Sequence, residues 1–199
     1  MNPIQRLLAK IANLYPAKVV AEFGAALIRK AATHFPVGMS TLYEFECVGP
    51  DGRVKWRDQF TNLVVDTGLD DLLNNQFLGT NYTASFFVGL TDGAPTVAAG
   101  DTMASHAGWA EVSDYAEATR AALTLGAVAN QSVSNASNRA SFSIDTDDTT
   151  IGGAFVTTDN TKDGAAGTLY GVGAFTGADK SADDGDTLNV TVTLTAVAA

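Results

Sequence analysis

The chain has 199 residues, enough for one domain with an appendage, and carries 22 Asp/Glu against 12 Lys/Arg, a net charge of −10. That balance excludes nucleic-acid binding by phosphate neutralisation. A single cysteine, Cys47, excludes an intramolecular disulfide and cannot build a thiolate metal site alone.

The charge is split along the chain. Residues 1–60 hold eight basic and five acidic side chains, whereas residues 61–199 hold four and seventeen. The acidic body stays soluble by self-repulsion or faces a basic partner.

The first segment, MNPIQRLLAKIANLYPAKVVAEFGAALIRKAATHFP, reads as helix. Ile4, Leu7, Leu8, Ile11 and Leu14 recur at helical spacing, with Asn2 as N-cap and Pro3 at the first helical position. Pro16 interrupts the helix, a second stripe runs through Val20, Phe23, Leu27 and Ala31, and Pro36 closes it. Lys10, Lys18, Glu22, Arg29 and Lys30 leave no uncharged run near the roughly 20 residues of a membrane span. Charge spread through the segment also argues against a secretory signal. A basic amphipathic N-terminus fits an organellar transit peptide or a membrane-surface helix as well. A helical arm over residues 1–38 is preferred, because residues 39–199 supply a full set of strands for a domain of their own. The stripe of Ile4, Leu7, Leu8, Ile11, Leu14, Phe23 and Leu27 is then a candidate interaction surface, packing on its own body or on a neighbouring subunit.

From Ser40 the period changes to two. STLYEFECV and RVKWRDQFT flank GPDG, a turn tetrapeptide, and predict a hairpin. Pairing Val48 with Arg53 sets Glu46 against Lys55 and Glu44 against Arg57 on one face. The other face then sets Phe45 against Trp56 and Cys47 against Val54. Next, Leu69, Leu72, Leu73 and Phe77 predict a short helix over 67–77, with Gly79 as its C-terminal glycine. Short strands are expected at 85–91, 110–115, 119–125, 139–144, 154–157, 168–175 and 187–196. The separating turns are DGAP, the Asn/Ser run 130–138, DTDDTTIGG, DNTKDGAAG and SADDGD. Leu188, Val190, Val192 and Leu194 alternate with Asn189, Thr191, Thr193 and Thr195, the clearest strand pattern of all. Together these elements predict a mainly β protein: an antiparallel β-sandwich, jelly-roll or immunoglobulin-like, with an N-terminal helical arm and one short inserted helix.

No complete catalytic constellation is visible. Ser105 and His106 adjoin each other, with Asp92 and Asp101 nearby, but no G-x-S-x-G surrounds any serine, and the other histidine, His34, sits in the arm. The reading preferred for His106 is a hydrogen bond that fixes the loop before Trp109, whose buried ring anchors the loop. Two histidines and one cysteine, scattered, predict no zinc site. The acidic turns Asp145-Thr146-Asp147-Asp148 and Asp183-Asp184-Gly185-Asp186 lack the spaced calcium-loop pattern and read as solvated turn carboxylates. No phosphate-binding glycine loop is present. No cofactor is expected.

Four stretches resemble small virion-associated structural proteins of tailed bacteriophages. They are YEFECVGPDGRVKWRDQFTNLVVDTGLDDLL, FFVGLTDGAPTVAAGDTMASHAGWAEVSDY, TLYGVGAFTGADK and GDTLNVTVTLTA, and they span about 43–196. The resemblance implies a structural protein of the particle, a head decoration or cement protein without catalytic residues. Its partners would be the major capsid protein or other virion proteins and further copies of itself, with neither nucleic acid nor membrane. It would reside in the virion, assembled in the host bacterial cytoplasm. Two rival readings are a tail or fibre component that displays loops to a host, and a hydrolase using the region around His106.

Overall fold

The computed structural model describes residues 37–73, 75 and 85–198. The arm, with Ile4, Leu7, Leu8, Ile11, Leu14, Phe23 and Leu27, lies outside these residues, as do Phe77 and Gly79 of the predicted helix. Residues Gly38–Val197 form one compact unit.

The unit is mainly β and antiparallel. Its first sheet, sheet A, is built on β1 (Val37–Val48), flanked by β2 (Val54–Thr61) and by β13 (Thr187–Ala198). Along the other side of β13 lie β7 (Ser132–Ser134) and β8 (Ala140–Ser143), end to end. Sheet B runs β3 (Leu63–Val64), β11 (Leu169–Ala174), β10 (Gly153–Thr157), β4 (Phe87–Thr91). On the far side of β4 are β5 (Glu111–Val112) and β6 (Ala121–Ala122). A separate two-stranded ribbon pairs β9 (Thr149–Ile151) with β12 (Lys180–Ala182). Jelly-roll and immunoglobulin-like orders both fit the sequence pattern; the observed orders are β2-β1-β13-β7 in sheet A and β3-β11-β10-β4-β5 in sheet B. The chain passes from sheet A to sheet B at Asn62, between β2 and β3.

Period-two patterning explains the core. Tyr43, Phe45 and Cys47 of β1, Phe60 of β2 and Leu188, Val190 and Val192 of β13 turn inward. They meet Val88 and Leu90 of β4, Ala154 and Val156 of β10 and Tyr170 of β11 in one buried cluster. At its centre Phe45, Phe60 and Phe175 pack at ring-centroid distances of 4.9–5.6 Å.

The hairpin forms, but its register differs from the expected one. Gly49 and Arg53 bond across a three-residue loop closed by Gly52 at φ 77°, so the loop is shorter than GPDG alone suggested. A bulge then separates the Val48–Val54 pair from Cys47–Trp56. The two effects shift the pairing by two residues, which preserves the faces and changes the partners. Glu46 faces Arg57, Glu44 faces Gln59 and Phe45 faces Asp58. Lys55, extruded at the bulge, reaches Asp183 and Asp186 at 2.6 and 2.7 Å instead of Glu46.

Other boundaries also move. The helix α1 (Asp66–Leu73) starts one residue early. The strands expected over 110–115 and 119–125 shorten to β5 and β6, with isolated bridges at Tyr115 and Thr119. β7, β9 and β12 lie in segments that read as turns, because the Asp, Asn, Ser and Gly in and around them signal turns while the pairing partner is distant in sequence.

Candidate functional site: a strap over sheet B

Residues 92–110, the segment between β4 and β5, lie across the outer face of sheet B. Asp92 starts it by a local clamp: its backbone N–H donates to Ala110 O at 3.0 Å, and its Oδ1 accepts from Ala110 N at 2.9 Å. Thr96 N donates to Gly108 O at 2.8 Å, joining the two limbs of the loop. The turn at Ala94, φ 47°, is held by its N–H donating to Asp179 Oδ1 at 2.9 Å. Asp101, 8 % exposed, organises the interior: its Oδ2 accepts from Ala98 N at 3.0 Å and from Trp109 Nε1 at 3.1 Å.

Beneath the loop, Val65, Met103, Trp109, Phe155, Leu169 and Val172 form a second buried cluster. Sheet B is therefore covered on both faces, and β10 and β11 read as near-continuous apolar runs for that reason. The rings form a column. Phe155 lies over Gly89, where a Cβ would collide with its Cζ. Trp109 packs on Phe155 at 5.1 Å, and His106 stacks on Trp109 at 3.8 Å and 18°. His106 Nδ1 lies 3.0 Å from Trp109 O, closing a local ring of contacts.

Beside the column lies an ion pair that sequence reasoning missed. The Arg120 side chain is fully buried and donates in fork geometry to Glu111, Nε to Oε1 at 2.8 Å and Nη2 to Oε2 at 2.7 Å. Two further donors go to Asp159 O and Gly164 O, each at 2.9 Å, and its guanidinium lies 5.2 Å from the Phe155 ring. Thus Arg120 fixes the loop between β10 and β11 against β5 and β6. One signal was available: Arg120 is the only Lys or Arg between Arg57 and Arg139.

The neighbouring polar groups make contacts within the loop. Ser105 is exposed, and its backbone exchanges hydrogen bonds with Thr102 at 3.0 and 3.1 Å in a tight turn. Asp92 caps Ala110 and Asp101 holds Trp109, so neither carboxylate orients His106. The acidic turn Asp183-Asp184-Gly185-Asp186 is tied to β2 by one cation. Lys55 bridges Asp183 and the buried Asp186, while Asp183 N donates to Asp186 Oδ2 at 2.9 Å. Among the described residues, no group of three or more His, Cys, Asp or Glu is arranged to hold a metal ion. No described helix is long and apolar enough to cross a membrane.

On the outer face of sheet A, a shallow concavity of about 500 Å³ is lined by Glu44, Glu46, Arg57, Gln59, Arg139 and Asn189, among others. Glu46 sits between two guanidiniums, accepting from Arg57 Nε at 2.9 Å and from Arg139 Nη1 at 3.1 Å. These bonds hold its carboxyl below the usual carboxylate range. Comparisons with family models, curated proteins and solved structures find no match to this chain.

Proposed function

We propose that the chain is a structural virion protein of a tailed bacteriophage, binding the capsid exterior as a decoration or cement protein through protein–protein contacts. The observation that carries this reading is the use made of the stretch VGLTDGAPTVAAGDTMASHAGW, the most distinctive part of the resemblance. Its polar side chains Asp92, Asp101 and His106 are committed to strapping sheet B, and its Trp109 and Met103 to filling the space beneath. Residues kept for packing suit a protein whose work is to present a rigid surface. Contacts of that kind gain from buried apolar area, with charge setting register and partner choice.

The test is to locate the protein in an electron-microscopy map of the intact particle, alongside co-sedimentation of the purified chain with empty shells. Density on the shell exterior and co-sedimentation are the expected results. Density confined to the tail would favour the loop-displaying tail component. Absence from the particle, or ester or peptide hydrolysis that disappears in His106→Ala, would overturn the reading.

A further inference from the structure

Sheet A has two edges of opposite character. At one edge, β2 carries Lys55, Arg57 and Asp58 in succession around Trp56. Charge along an edge strand is a common means of deterring pairing with another sheet. At the other edge the chain folds back on β7. Gly126 N donates to Ser134 O at 2.9 Å, and Ala129 and Ser132 exchange bonds of 2.9 Å. Asn130 and Gln131, at φ 49° and 58°, make the two-residue turn. These bonds all point toward β7. Residues 126–131 are exposed, and Val128, at 74 %, is the most exposed large apolar side chain described. No Lys, Arg, Asp, Glu or Pro occurs from Ala121 to Asn138. The strand behind β7 adds none either, since β13 is uncharged throughout.

We propose that the edge formed by residues 126–129 pairs with the same edge of a second copy of this chain. At a net charge of −10, two copies repel each other wherever their Asp-rich turns approach. Contact costs least where neither copy contributes charge, and this edge meets that condition. A basic partner would be drawn to the Asp-rich turns and would gain nothing from an uncharged edge. Antiparallel edge-to-edge pairing is self-complementary, so one segment serves both copies about a two-fold axis. Gly126, Ala127 and Ala129 keep side chains out of the way of approaching backbones, and Val128 loses its exposure. A pairing this short buries less than a standard interface, so the association is weak, with a dissociation constant on the order of micromolar or above. The inference stands whether or not the chain belongs to a virion.

Sedimentation velocity of the full chain, from low micromolar to submillimolar concentration, should show a reversible monomer–dimer equilibrium. Val128→Lys, which adds the missing edge charge, should raise the dissociation constant on the order of tenfold or more through like-charge juxtaposition. Thr61→Lys, placed on β2, should leave it unchanged. Both variants should melt like the parent. Amide exchange at Ala127 and Val128 should slow as the parent concentration rises, which gives a readout even if Val128→Lys fails to fold. A parent that stays monomeric, a folded Val128→Lys that associates as tightly as the parent, or exchange independent of concentration would each overturn the proposal.

Discussion

Replacing Trp109 with alanine tests the strap most directly. The indole is 6 % exposed, packs on Phe155 and donates Nε1 to the buried Asp101. A buried tryptophan removes about 150–250 Å² from water, worth roughly 4–6 kcal/mol at about 25 cal/mol/Å². Because a loop relaxes more readily than a core strand, the cost falls about 1 kcal/mol below that range, and about 3–5 kcal/mol is expected for truncation. Trp109→Phe separates the terms: it keeps most of the ring contact and loses the charge-assisted hydrogen bond, for about 1.5–3 kcal/mol. Ser105→Ala, at the exposed tip of the same loop, should change stability by no more than about 0.5 kcal/mol. Urea denaturation followed by far-UV circular dichroism measures all three. A loss below about 1.5 kcal/mol for Trp109→Ala would mean that the loop does not depend on its tryptophan, and the account of sheet B as covered on both faces would fail.

Gly89→Ala places a methyl against the Phe155 ring and should cost about 1–3 kcal/mol by overpacking; a neutral result in the same assay would contradict the ring-on-glycine contact. Arg120→Met should cost about 3–5 kcal/mol because it strands the buried Glu111, whereas adding Glu111→Leu should recover most of the loss; a double variant no better than the single one refutes the ion-pair account. Hydrogen bonds from Arg57 and Arg139 lower the folded-state pKa of Glu46, so their contribution is present above the ordinary value of 4.5 and is lost as pH falls through the folded value. Stability should therefore drop more steeply between about pH 5 and 3 in the parent than in Glu46→Gln, by a few tenths of a kcal/mol for so exposed a cluster, and identical pH profiles would count against it. Burial, reinforced by the Asp186 carboxylate, pushes the Cys47 thiol up to about 12. Iodoacetamide at mildly alkaline pH should therefore leave Cys47 unmodified until the protein is unfolded by urea, and rapid alkylation of the folded chain would refute this.

Much of the fold was legible where one side of a strand is wet. β13 alternates because Leu188, Val190 and Val192 enter the core while Asn189, Thr191 and Thr193 do not, and β1 and β2 follow the same rule. β10 and β11 were visible as apolar runs bounded by turn residues. The two-residue strands β5 and β6 carry too few positions for any period, and β7, β9 and β12 are three-residue strands embedded among residues that signal turns. Hairpin register escaped because it depends on where the bulge falls, and GPDG does not encode the extrusion of Lys55. Trp109 stood out by its size in a small-residue loop. Its partners did not, because Phe155 lies 46 residues further along the chain and is brought to it only by the sheet. The Arg120–Glu111 pair lay hidden for the same reason: nine residues separate them, with no helical or hairpin relation between.

Opposite β2, the neighbour of β1 in sheet A is β13, and the Cys47–Asp186 contact at their junction spans 139 residues. On a ribosome adding about 5–20 residues per second, roughly seven to thirty seconds separate the emergence of these two strands. During that interval the β1–β2 hairpin can close locally, and Tyr43, Phe45 and Phe60 gain their cover in steps, from Val88 and Leu90 first and from Tyr170 and Phe175 last. The outer face of the hairpin, with Glu46 and Arg57 in contact, keeps the waiting strands in water. Completion of sheet A is thus a late event in synthesis, and premature truncation anywhere before Thr187 leaves the β13 side of β1 as an unpaired edge open to other nascent chains.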